Sequence, residues 1–236
     1  MSGGRLEQTP PLSVVIPVRN DAAALAAVLD ELARVGSPVP EILVVDGGSD
    51  DGSEEAARRA GARVIRTSPG RGRQLSAGCA AAGGRWLWLL HADSRNVLPA
   101  LRYLQDLALQ DHDRGCWGRF EVAFEPSSPG LAVVARAMAW RSSLTGICTG
   151  DQGVFVRRDV LERIGGVPDQ PLMEDIALTR KLKRQGRPLC PRIALTTSSR
   201  RWQRDGLLRT IVRMWAFRLR YWLGADPEVL ARSYYR

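Results

Sequence analysis

His91 and Asp93 stand two residues apart, directly after the apolar run WLWLL (Trp86 to Leu90). On an extended segment such residues share a face, so imidazole and carboxylate project together. A carboxylate placed this way suits Mg2+ or Mn2+, hard cations that take one or two protein carboxylates and complete their shell with substrate phosphates. The histidine could ligate Mn2+, contact phosphate, or simply pack at a strand end. Other acids also fall at expected loop ends. Asp46 closes the run EILVVD, Asp151 sits in TGDQG, and Glu174 and Asp175 open the segment EDIALTRKLKRQG. A lone Asp at a turn is ordinarily a cap, and Asp175 has that ordinary reading as a charge favoring a helix start. Several acids aimed at one crevice would instead define a site. In SPGRGRQ, Arg71 and Arg73 lie between glycines ahead of a helical segment. Forked guanidinium donors at a helix start match phosphate, with a solvated basic loop as the plain alternative.

These groups need elements to hold them. LSVVIPV (Leu12 to Val18), EILVVD (Glu41 to Asp46), ARVIR and RWLWLL read as buried strands. Between them, Leu25, Val28, Leu29, Leu32 and Val35 recur at helical spacing behind the caps Asn20 and Asp21. SEEAARRAG reads as a short helix stopped by glycine, and QLSAGCAAAG as a helix of small residues. The alternation predicts a mostly parallel α/β sheet covered by helices on both faces. In such sheets ligands bind beyond the carboxyl ends of the strands. Four loops then line one crevice: Pro17 to Asp21, Asp46 to Ser53, Ser68 to Arg73, and His91 to Arg95. Later segments read as a strand (GCWGRFEVAFE), a helix (GLAVVARAMAWRSSL), a strand (QGVFVRR) and two helices. Residues 12–236 read as a single domain after a disordered tail, 1–11. The start MSGGRLEQTPP has no apolar core and reads as neither signal peptide nor anchor.

Several chemistries are excluded or disfavored. The sequence has no GxxxxGK[ST], no HExxH and no GxGxxG followed by an acid. It contains two histidines, which gives a Ser-His-Asp hydrolase little support. The four cysteines show no zinc spacing and read as free thiols of a reducing compartment. The net charge of +9 points to an anionic partner, such as a nucleotide, an acidic membrane or nucleic acid, or to solvated surface charge. No recognized nucleic-acid motif accompanies that charge. Near the end, residues 205–224 form an amphipathic helix whose apolar stripe is Leu208, Ile211, Val212, Trp215, Leu219 and Trp222, with Arg209, Arg213 and Arg220 beside it. The stripe reads first as core-facing with solvated arginines. The second reading is a helix lying on an anionic membrane.

Taken in order, SVVIPVRN, VVDGGSDDGS, GRGRQLSAG, LLHADS, GDQGVFVRRDVLERIGGVPDQPLMEDIALTRKLKRQG and SSRRW resemble the family 2 glycosyltransferases over Leu12 to Trp202. The HAD variant, the GRGRQ loop and the C-terminal segment resemble a branch of soluble transferases linked to arsenosugar biosynthesis or radical-SAM/selenodomain systems. The resemblance implies the GT-A fold, a Rossmann-like nucleotide-diphospho-sugar fold. It also implies inverting transfer from a nucleoside-diphosphate sugar to an acceptor hydroxyl. By the same resemblance, Pro17 and Arg19 match the first nucleotide loop. Asp46 matches the acid that reads the donor base or ribose, with Gly48 and Ser49 in its turn. Arg71 and Arg73 match the loop over the nucleoside, where Ser76 stands in place of a frequent Asn. His91, Ala92 and Asp93 occupy the DxD position, with Asp93 as the metal ligand and His91 departing from the first Asp. Asp151 and Gln152 match an acceptor-side segment. Glu174 and Asp175 match the ED motif, with Asp175 as the base, and Arg200, Arg201 and Trp202 match a basic-aromatic motif near the diphosphate. The implied cofactor is Mn2+ or Mg2+. The implied partners are the sugar nucleotide and a small-molecule or lipid-linked acceptor, with no nucleic acid. The implied location is cytoplasmic, peripheral at the inner membrane face if the late helix lies on lipid. The competing readings are an inactive nucleotide-sugar-binding protein and, further off, a basic nucleic-acid-binding module.

Overall fold

The computed structural model describes residues 10–37, 39–110 and 115–234. The first half runs β1 (Leu12–Val18), α1 (Ala22–Ala33), β2 (Glu41–Asp46), α2 (Ser53–Arg59), β3 (Arg63–Arg66), α3 (Arg71–Ala81), β4 (Trp86–Leu89) and α4 (Leu98–Leu109). The second half continues with β5 (Trp117–Gly118), β6 (Glu121–Glu125), α5 (Pro129–Thr145), a 3-10 turn at Gly150–Gln152, β7 (Phe155–Arg157) and α6 (Arg158–Arg163). It closes with α7 (Glu174–Leu182), β8 (Ala194–Ser198), α8 (Arg200–Asp205), α9 (Leu207–Trp222) and α10 (Pro227–Tyr234).

Six strands form one sheet in the order β3-β2-β1-β4-β7-β5. The first four are parallel, and β7 enters antiparallel between β4 and β5. The β1 and β2 runs are apolar at nearly every position because helices cover both faces. Leu25, Leu29, Leu101 and Leu104 of α1 and α4 pack one side, and Leu75, Val160 and Leu178 of α3, α6 and α7 pack the other. This is the mostly parallel α/β sheet expected from the sequence. The chain leaves β1 toward β2 on one side and returns to β4 on the other, so the crevice of a doubly wound sheet opens between the ends of β1 and β4.

The structure corrects several expectations. GCWGRFEVAFE is not one strand: β5 belongs to the large sheet, while β6 pairs with β8 in a separate two-stranded sheet. The switch falls at Arg119 and Phe120, both buried, where the Arg119 guanidinium donates to the Ala139 carbonyl and the Ser143 hydroxyl. Arg71 and Arg73 are not loop residues, because α3 begins at Arg71. Asp21 precedes α1, but its side chain makes no cap; the Ala22 N–H donates instead to Asp51 Oδ2 at 2.8 Å. The Pro10 and Pro11 carbonyls accept hydrogen bonds from the backbone N–H groups of Arg85 and Trp86, so these two residues of the expected tail are tied to the start of β4. Residues 1–9 of that tail, and His112, lie outside the described residues.

The apolar stripe of α9 is turned the other way. Thr210 and Phe217 are buried, and Leu207, Ile211 and Met214 pack on the small sheet with Leu131 and Met138 of α5. Leu208, Val212, Trp215, Leu219 and Trp222 face outward, with Trp222 74% exposed. The helix is apolar over a wide arc, and its periodicity does not say which edge of the arc meets protein. No helix among the described residues is long and apolar enough to cross a membrane.

Candidate functional site

The ends of β1 and β4 supply the first wall. Pro17, Val18, Arg19 and Asp21 face His91, Ala92 and Asp93 across a pocket of about 310 Å3, closed by Arg71 and Gln74 of α3. Gln74 explains the placement of Arg71. Its buried amide donates to the carbonyls of Val18 and Val45, both at 2.8 Å, which ties α3 to the ends of β1 and β2. Arg71 lies three residues earlier on the same face of the helix and so hangs over the strand ends. Gly78 permits the close approach, since a Cβ there would overlap the Val15 side chain.

A second cleft of about 370 Å3 continues from this pocket and shares Arg71, His91 and Asp93 with it. Its far wall holds Asp151, Glu174, Asp175, Thr197, Arg201 and Trp202. Asp151 is presented by the 3-10 turn, which Thr149 and Gln152 close reciprocally as a capping box. Gln152 is fully buried and its amide donates to Ser142 Oγ at 3.0 Å, so it holds the turn and does not line the cleft. Asp175 opens α7 behind Met173, whose φ of 63° is left-handed. The Gly150 N–H donates to Asp175 Oδ2 at 2.9 Å and the Ile176 N–H to Oδ1 at 2.7 Å. Thr197 Oγ1 stands 3.4 Å from Asp93 Oδ2, and the Arg95 backbone bridges Thr196, so β8 pins the HADS segment from below.

Electrostatics are arranged around Arg71. Its guanidinium donates to the Glu174 carboxylate, and a Cβ at Gly150 would overlap it. Burial opposes its charge, but Glu174, Asp175 and Asp151 together hold it above the ordinary arginine value. Burial raises the Asp175 carboxyl above the usual Asp value, against the opposing pull of Arg71 and two backbone N–H groups. Asp151 keeps solvent contact within the cleft but is raised for the same reason, again opposed by Arg71. His91 is pushed down to about 3, first by burial and then by the Arg71 charge, so the imidazole is neutral at physiological pH. Its Nδ1 is 3.8 Å from Asp93 Oδ1 and its Nε2 is 3.8 Å from Asp151 Oδ1. That Nε2 is buried without a hydrogen-bond partner. Among the described residues, no group of three His, Cys, Asp or Glu gathers to hold a metal ion unaided. The neutral imidazole's Nδ1 and the Asp93 carboxylate, 3.8 Å apart, are a pair of donors that fits a cation whose remaining ligands come from phosphate oxygens.

The remaining sequence candidates fall outside these walls. Asp46 is buried, and its carboxylate accepts from the backbone N–H groups of Gly48 and Ser49 and from the Ser49 hydroxyl. Ser49 Oγ also accepts from the Asn20 N–H at 2.9 Å, so Asp46 shapes the turn that supports the Arg19 loop and lines neither cavity. Gly48, with φ +83°, permits that turn. Arg73 is half exposed and bonds Ser68 Oγ at 2.7 Å. Sequence reading missed Tyr234 of α10, whose ring stacks under the Arg201 guanidinium at 4.5 Å and whose hydroxyl accepts from Arg201. It also missed Thr197. ALTTS lacks the apolar run of a buried strand, and SYY carries no periodic signal.

Residues 13–163 match the model of glycosyl transferase family 2, and the chain belongs to that family. Glucosyl-3-phosphoglycerate synthase of Mycobacterium tuberculosis is 33% identical over 98 residues, 37% of this chain and 30% of its own length. Undecaprenyl-phosphate 4-deoxy-4-formamido-L-arabinose transferase of Aeromonas hydrophila is 31% identical over 113 residues, 43% of this chain and 35% of its own. The chain thus spans about a third of the length of these curated relatives. The fold is shared with the Mycobacterium tuberculosis synthase solved with Mn2+, UDP-glucose and phosphoglyceric acid. The TM-score is 0.59 at 22% identity, covering 80% of this chain and 70% of that one.

Proposed function

We propose that residues 12–236 act as an inverting glycosyltransferase moving a sugar from a nucleoside-diphosphate sugar to an acceptor hydroxyl. The observation that carries this reading is the pair of cavities joined at Arg71, His91 and Asp93, one opening between the β1 and β4 ends and the other containing Asp175. A nucleoside fits the first pocket against Pro17 and Arg19, with its diphosphate at the junction. The acceptor oxygen attacks the anomeric carbon from the Asp175 side. The new C–O bond forms as the bond to the diphosphate breaks, the electron pair leaves with the nucleoside diphosphate, and the hydroxyl proton passes to Asp175. Single displacement needs no enzyme nucleophile. Asp93 and His91 would hold Mn2+ or Mg2+, which supplies positive charge to the departing diphosphate. Arg71 and Arg201 add fixed positive charge to the same end. The acceptor is a small molecule or a lipid-linked group, and the setting is cytoplasmic, peripheral at the inner membrane face if α9 lies on lipid. The finer placement in the arsenosugar-linked branch belongs to this proposal as well.

The test is a thermal-shift panel of nucleoside-diphosphate sugars with and without Mn2+, followed by turnover with the stabilizing donor. A specific ligand raises the melting temperature by mass action. Stabilization by a donor, strengthened by Mn2+, with nucleoside diphosphate released on turnover is the expected result. A broad panel in which no donor shifts the melting temperature would sink the transferase reading.

A further inference from the structure

Beside the cleft, α5, α7 and α9 border a separate open groove of about 490 Å3. It shares Ile176 and Arg218 with the cleft lining, so it begins one residue along α7 from Asp175. Its charge is one-sided: Arg141, Arg180, Lys183 and Arg218 line it, and among the described residues no carboxylate does. Arg141 is the most telling of the four. Its Nε and Nη2 are buried without a hydrogen-bond partner, and burial lowers its pKa below the usual arginine value. Asp175 pulls on its charge without bonding either nitrogen; two buried donors left unsatisfied are costly, and an anion in the groove would relieve that cost.

The other wall of the groove is apolar: Trp215, Leu219 and Trp222. These belong to the outward stripe of α9, which continues through Val212 to Leu208, the latter 76% exposed. Arg209 and Arg220 are exposed on the same helix. An apolar face of this extent marks an interaction surface. Its companions select the partner. Exposed tryptophans beside arginines on an amphipathic helix suit the boundary of an acidic bilayer, where indole rings lie at headgroup level and cations meet lipid phosphates. An apolar protein partner would not need four cations in the adjoining groove.

We propose that the α9 tryptophan face seats on an acidic bilayer and that the groove beside it binds an anionic lipid headgroup. Lipid then reaches within one residue of Asp175. The transferase reading gives this site its purpose, but binding to the bilayer can be measured without it.

The test is cosedimentation of the full chain with vesicles of phosphatidylcholine alone and of phosphatidylcholine mixed with phosphatidylglycerol. The protein should pellet with the acidic vesicles only, and added salt should weaken it. Arg180 on α7 and Lys183 just after it are exposed, so Arg180→Gln with Lys183→Gln should keep the fold while lowering affinity roughly fivefold per cation. Trp215→Ala with Trp222→Ala should abolish pelleting. Equal binding to both vesicle types, or acidic binding unchanged by either double variant, overturns the proposal. So does stabilization by inorganic phosphate without vesicle binding, which would assign the groove to a soluble anion, or a dimer in solution that the Trp variants dissolve. Donor-induced thermal stabilization, read on the same samples, separates the two readings. If it persists without vesicle binding, only the lipid site falls; if it is absent while vesicle binding persists, only the transferase reading falls.

Discussion

The Arg71 guanidinium pairs with the Glu174 carboxylate across 103 residues of chain, joining the first turn of α3 to the first turn of α7. Both side chains are largely withdrawn from water, at 24% and 6% exposure. Removing Glu174 takes the hydrogen-bonded one of three carboxylates away from a buried charge. Glu174→Gln is expected to lower unfolding free energy by about 3 kcal/mol in urea titration. Replacing both residues by apolar ones (Arg71→Met with Glu174→Leu) should recover most of that loss, and a double-mutant cycle reads the coupling directly.

Asp175→Asn separates chemistry from binding. The amide keeps an oxygen to accept the Gly150 N–H but cannot take a proton. Turnover should fall by about a hundredfold to ten-thousandfold. Donor-induced thermal stabilization should be retained, because Asp175 lines the cleft proposed for the acceptor and not the β1–β4 pocket. Turnover kept within about threefold of wild type would remove Asp175 from the reaction.

The same carboxyl sets a pH dependence. Burial raises its pKa above the ordinary 3.8, and only the ionized form accepts a proton. The acid limb of kcat/KM should therefore lie above pH 3.8, with activity rising as pH increases through the limb. Stability runs the opposite way. A carboxyl whose folded-state pKa exceeds its unfolded value favors the folded state below the unfolded value, and that advantage is lost as pH rises through the folded pKa. At neutral pH, Asp175→Asn should melt at or above the wild-type temperature, and the difference should shrink on acidification.

Asp93→Asn removes one of the two protein donors at the cavity junction. The Mn2+ concentration for half-maximal stabilization by a nucleoside diphosphate should rise by more than about tenfold, with His91→Ala giving a smaller increase. A Mn2+ response unaltered by both substitutions would assign the diphosphate charge to Arg71 and Arg201 alone.

Gly150→Ala tests the fit around Arg71. A Cβ at that position would overlap the guanidinium, so the arginine must leave Glu174 or the turn must move. Since the Gly150 N–H also holds Asp175, turnover should drop by about tenfold or more, a loss expected of a reacting group displaced by about an ångström. Circular dichroism should show the helical content unchanged.

The sheet was readable because β1, β2 and β4 are continuous apolar runs ended by loop residues, and the placement of Asp93 beyond β4 follows from that pattern. Arg119, by contrast, hides the change of sheets: a charged residue between two strands looks like an exposed strand position, and only its bonds to Ala139 and Ser143 reveal a buried corner. β8 was invisible for a similar reason, since its residues are paired by a distant strand and not by a local turn. Gln152 reads as a contact residue because its neighbors match a motif, yet its amide closes the turn that carries Asp151. In α9 the arc of apolar residues was correct and its orientation was not, because orientation depends on α5, whose packing no local pattern encodes.

The threading of the chain through the two joined cavities divides the labor by length of sequence. Apart from Arg71, His91, Asp93 and Phe124, every residue lining the larger cavity comes from position 149 onward. On the proposed reading, a lineage can inherit the sugar-nucleotide end unchanged while rewriting the late segments to admit a different recipient. Chimeras exchanged near residue 148 would transplant recipient choice without disturbing the choice of nucleotide.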